Sequence, residues 1–193
     1  MFFFSTNSID IKPGSIEHAY LTILKDDLDS AIEVFKNIDS PRAKWGIILI
    51  QILQGHILIT PTFFQIRNFL EIDLDFLLKN EKIDYVEQVL GSLDYLAQIN
   101  QETYKFVARV MFENHFINAA QKYMEKSKKY FYNDPELHFM LAKLYMKLRN
   151  FEHADYYINE CIRILPNYYP AKILKEEITK KLDSNWCNYK NLV

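Results

Sequence analysis

The sequence predicts an all-α protein, an α-solenoid of antiparallel helix hairpins, and three observations carry that expectation. Its 193 residues include only 4 Gly and 6 Pro, too few for the many tight turns of a β-sandwich. Apolar residues recur at helical spacing, as in Tyr104, Val107, Ala108 and Met111, and strict alternation is nearly absent. The chain also resembles itself when shifted by 34 residues.

Each element follows from its punctuation. Ser40-Pro41, Thr60-Pro61 and Asp134-Pro135 place a capping side chain before a proline. Proline suits the first helical position, where its missing N–H would be unpaired anyway. Ser30-Ala31-Ile32-Glu33 reads as a capping box, and Asn100 precedes Gln101-Glu102 in the same sense. Helices are expected at approximately 15–25, 30–37, 41–55, 61–79, 82–98, 101–114, 117–131, 135–148, 151–164 and 170–182. Connections of two to six residues imply antiparallel neighbours. The tail Asp183 to Val193 lacks periodicity and either docks on the last helix or stays mobile. Before residue 101 five expected helices cannot all pair. Either one is a lone cap, or 15–37 is a single bent helix.

The 34-residue register places Val107 on Leu141, Ala108 on Ala142, Met111 on Tyr145, Ile117 on Phe151, Ala120 on Ala154 and Met124 on Ile158. Small residues at Ala108/Ala142 and Ala120/Ala154 let the two helices of a hairpin approach closely. A hairpin cannot bury its apolar face alone, so it must stack. Residues 101–134 and 135–168 resemble two tandem tetratricopeptide repeats (TPRs). The second carries Leu141-Ala142, Tyr145, Leu148, Phe151, Ala154, Ile158, Cys161 and Pro166 at that family's spacing. It departs from the family at His138 and at Arg149-Asn150, where Gly is frequent. Within 15–98, Leu70, Leu74, Leu77, Ile83, Leu90 and Leu93 suggest a degenerate unit in which Asp73 and Val86 fit poorly; Leu28, Ala31, Phe35 and Ile38 resemble a second half-repeat, and Trp45-Gly46 a first half. The resemblance implies a single TPR-like right-handed superhelix over 1–193 with a capping helix at 170–182.

Composition narrows the function. The balance of 23 Lys+Arg against 25 Asp+Glu, a net charge of -2, argues against nucleic acid as partner. The longest apolar run, Ile47 to Leu53, is far too short to span a bilayer. The start, Met1 to Phe4 and then Ser5-Thr6-Asn7, lacks the features of a secretory signal. Two Cys without a CxxC suit a reducing compartment, and the expected location is cytoplasmic. No nucleotide loop, nucleophile elbow or HExxH pattern occurs, so no enzyme and no cofactor or metal is expected. His18, His56, His115, His138 and His153 are scattered; His138 reads as a packed side chain and Cys161 as a small hydrophobe. Asp26, Asp27 and Asp29 read as a capping turn, and Lys122, Lys126, Lys128 and Lys129 as a solvated convex face.

In the resembled family the first helix of each pair lines a concave, peptide-binding side. Turning one residue from the packing face of 101–114 is expected to expose Lys105, Arg109 and Phe112; on 135–148 the matching face is Phe139, Lys143 and Met146, with Lys147 beside it. Four cations interleaved with three apolar side chains would hold an acidic peptide or partner. The competing reading is an ordinary solvated helix surface. Arg109 stands where the family's carboxylate clamp has Asn, which speaks against recognition of a free C-terminus. The expectation is therefore a protein-interaction scaffold; the alternative is a small chaperone holding an unfolded or export client, suited by 14 Phe and 13 Tyr. Homo-oligomerisation stays open, with Phe2 to Phe4 available to cover an exposed end.

Overall fold

The computed structural model describes residues 11–190, with side chains through Ser184. The aromatic start Phe2 to Phe4 lies outside the described residues, as do the side chains of Trp186, Cys187 and Tyr189. All regular structure among the described residues is helical. The chain divides into two compact units, one ending at Asn100 and the other beginning at Gln101.

The first unit holds α1 (Ile16–Leu24), α2 (Leu28–Lys36), α3 (Pro41–Leu53), α4 (Phe63–Lys79), α5 (Ile83–Gly91) and α6 (Leu93–Ile99). Residues 15–37 are thus two helices, broken where Asp26 takes a left-handed φ of 64°. α1 packs on α2, α2 on α3, and α4 on α5. Gly46 is required for the α2–α3 approach, because a Cβ there would meet the Phe35 ring at 2.5 Å. Asp73, the poor fit of the sequence pattern, is 1% exposed and forms a buried polar knot. Its carboxylate accepts from the Tyr20 hydroxyl of α1 at 3.2 Å, from the Trp45 indole of α3 at 2.5 Å, and from Arg42. Burial pushes the Asp73 carboxyl up, against the pull of Arg42, Trp45 and Tyr20.

Several caps differ from expectation. Ser40 and Asp134 cap α3 and α9 as read. Asp27, not Ser30, caps α2 by accepting from the Ser30 amide, and Glu33 pairs instead with Lys36. Thr62, not Thr60, caps α4 in a capping box with Gln65, and in the loop before it the buried Gln51 carboxamide accepts the amides of Leu58 and Ile59. Asn100 closes α6; it is fully buried and donates to the Phe63 carbonyl. The expected helix 82–98 is two helices, since Ser92 turns its hydroxyl back onto the Gln88 carbonyl just after Gly91.

The second unit holds α7 (Thr103–Glu113), α8 (Ile117–Phe131), α9 (Pro135–Lys147), α10 (Phe151–Ile164) and α11 (Tyr169–Lys190). α7 pairs with α8 and α9 with α10, α8 and α7 both touch α9, and α11 closes on α10 and α9. Ala108, Ala120, Ala142 and Ala154 are all fully buried at these approaches. The helix expected to end near 182 continues to Lys190, because Asp183 to Lys190 contain neither Gly nor Pro to stop it.

The hairpin turns repeat in their backbone. Glu81, His115 and Arg149 follow α4, α7 and α9, are 34 residues apart, and have φ of 58°, 67° and 56°. Each is followed by an amide that closes a Schellman turn: Lys82 onto Leu77, Phe116 onto Met111, and Asn150 onto Tyr145. The α4–α5 pair therefore shares the register of the two hairpins in the second unit, where its side chains matched only weakly.

Candidate functional site

The seven residues expected to line one groove separate into two sets. Lys105 is a correction: it is not exposed but buried at 5%, drawn inward by carboxylates. Its ammonium lies 2.8 Å from Asp134, 3.2 Å from Glu136 and 3.3 Å from Glu102. Asp134 does double duty, one oxygen capping α9 through the amides of Glu136 and Leu137 and the other accepting from Lys105. Burial pulls the Lys105 ammonium down, but Asp134 and Glu136 more than offset this and its pKa ends raised. Arg109, half-buried, is likewise paired with Glu136. Together these contacts form a clasp that ties α7 to the start of α9.

The other five stay together. Phe112, Lys143, Met146 and Lys147 line a groove of about 900 Å³, and Phe139 stands beside Lys143. The Lys143 ammonium lies 5.5 Å from the Phe112 ring and 5.8 Å from that of Phe139, within cation–π range of both. Phe139 is fixed by an edge contact with Tyr168 at 5.3 Å.

Sequence reasoning missed the rest of the wall. The turn contributes Arg149, and α11 contributes Leu174, Glu177 and Lys181. These α11 residues are spaced i, i+3 and i+7, a single helical face, so the periodicity was available. That α11 folds back toward this groove was not. Glu113 and His115 from the end of α7 and its turn, Phe151 of α10 and Ser184 of α11 also line it.

His138 and Cys161 fall as read, but the α8 lysines only in part: Lys122 and Lys129 are exposed, whereas Lys126 and Lys128 are half-buried. His138 is buried, its Nε2 within 2.6 Å of the Tyr132 carbonyl and its ring stacked on Tyr157. Cys161 is fully buried, and burial pushes its thiol up to about 11, away from reactivity. On α8, Lys128 pairs with Glu125 and donates to the Tyr157 hydroxyl.

No family model matches the chain. No curated protein matches it either. Among solved structures, the C-terminal part of a TPR repeat-containing protein from Cytophaga hutchinsonii is similar to it at 15% identity and a TM-score of 0.47, covering 89% of this chain and 72% of that one. A likeness of that size carries no functional argument. No helix among the described residues is long and apolar enough to cross a membrane.

Proposed function

We propose that the chain is a non-enzymatic protein-interaction module of TPR type, working in the cytoplasm, whose second unit seats a peptide or partner segment in the groove of α7, α9 and α11. The single observation that carries this is the groove itself. The two stacked hairpins and α11 leave apolar surface from Phe112, Met146 and Leu174 in a hollow ringed by charged side chains. Such a mixture of apolar area and a few polar groups is what ligand and peptide sites use. The proposed site residues narrow to Phe112, Lys143, Met146 and Lys147 with Phe139 at the edge, while Lys105 and Arg109 are taken up by carboxylates of the chain itself.

Affinity capture from native lysate tests the reading. The partner taken by wild-type protein should be lost with Met146→Asp and kept with Lys129→Glu on α8. A partner retained by Met146→Asp, or turnover of a small molecule by the purified chain, overturns it. Lys105→Glu and Arg109→Glu are poor probes, since they break the clasp.

A second reading, a holdase for unfolded clients, is favoured by one feature of the first unit. Leu58 and Ile59, on a loop pinned by Gln51, are exposed by 78% and 49%, and Phe63 and Phe64, which open α4, by 40% and 68%. Suppression of a model client's aggregation by wild type and not by Leu58→Ser/Phe64→Ser supports it; equal behaviour of the two rejects it.

A further inference from the structure

We infer that the occupant of the groove is a short peptide segment bearing carboxylate side chains around one or two apolar ones. This rests on the groove reading above and adds the chemistry of the partner.

The second unit already pairs cations of α7 with carboxylates of its own chain. Lys105 and Arg109 share a helical face of α7 with Phe112 at i, i+4 and i+7; Lys105 is taken up by Asp134 and Glu136, and Arg109 by Glu136. That segment, Asp134-Pro135-Glu136-Leu137, has two acids two residues apart followed by a side chain that is fully buried. It is an acidic, partly apolar stretch satisfying two cations of a neighbouring helix. The cations of the groove have no such stretch. Lys143, Lys147, Arg149 and Lys181 face the groove and make no ion pair among the described residues. Among the described residues only Glu113 and Glu177 oppose them on its walls, leaving an excess of two positive charges there.

Lys143 sharpens the point. An ammonium between two phenyl rings is positioned without being neutralised, since a ring quadrupole attracts charge but accepts none of it. An incoming carboxylate meets a cation already oriented, while Phe112, Met146 and Leu174 offer the apolar area beneath. A volume of about 900 Å³ is far more than a lone anion needs and lies at the upper end of ligand sites.

The test uses the full-length protein and four probes. These are a fluorescein-labelled eight-residue peptide with Asp and Glu bracketing Leu and Phe, its Asn/Gln counterpart, its Ser/Thr counterpart phosphorylated on two serines, and its Lys counterpart. Fluorescence anisotropy should show the acidic peptide binding, tenfold or more weakened in the Asn/Gln form. Lys143→Gln/Lys147→Gln should weaken the acidic peptide by at least tenfold, with an unchanged melting temperature, and Lys129→Gln should leave it within twofold. Absence of acidic-peptide binding overturns the inference, as does a smaller loss in either comparison. Binding of the phosphorylated peptide alone overturns the carboxylate as source. If the Asn/Gln peptide binds as tightly as the acidic one and Met146→Asp abolishes both, the groove stands and its proposed chemistry falls.

Discussion

Lys105 and Asp73 show charge being settled inside each unit before any partner arrives. Three carboxylates surround the Lys105 ammonium, so Lys105→Met should cost about 1–3 kcal/mol, the usual worth of charge-assisted hydrogen bonds. The sign with pH follows from the raised pKa. The contribution is complete below the ordinary lysine range and fades as pH climbs through the higher folded-state value. Urea melts of wild type and variant should differ at pH 7 and 9 and converge at strongly alkaline pH. Asp73 is the harsher case, because Arg42, Trp45 and Tyr20 all point at it. Asp73→Ala should cost about 3–5 kcal/mol by leaving the Arg42 charge unmatched, and Asp73→Leu/Arg42→Met should cost much less. Chemical denaturation of the two variants checks this; equal losses would mean the knot acts through packing alone.

At the scale of the helix, the turns carry the repeat more faithfully than the side chains do. Glu81, His115 and Arg149 hold the same left-handed conformation, which penalises a Cβ by roughly 1–2 kcal/mol. The same conformation after α3 is held by Gly55, with φ of 79°. Glu81→Gly should therefore stabilise the first unit by up to about 1 kcal/mol, after the entropy glycine adds to the unfolded chain. Gly55→Ala should destabilise it by about 1 kcal/mol. Thermal melts of the two variants should move in opposite directions. The register of α7 to α10 was legible because Ala108, Ala142, Ala120 and Ala154, small residues at the 34-residue spacing, are all fully buried. The pairing of α1 to α3 was not, because it turns on the absence of a single Cβ at Gly46 and on a ring from another helix.

Across the whole molecule, the division at Asn100 and Gln101 predicts separable folding. A fragment beginning at Gln101 should be helical by circular dichroism and melt cooperatively; a featureless melt would mean that the second unit depends on the first. The groove belongs entirely to this unit, so the fragment should also keep whatever affinity the intact chain has.

By itself the sequence determined that the chain is helical, where most helices begin, and that α7 to α10 repeat, because period, caps and small-residue positions are local properties. It also marked the surface that carries Phe112, Phe139, Lys143, Met146 and Lys147. Only the tertiary structure decided that Lys105 and Arg109 are consumed internally and that α11 brings Leu174 and Lys181 to the groove. A cation's fate depends on which carboxylate comes within a few ångströms of it. That proximity arises from the packing of distant segments, which no spacing along the chain records.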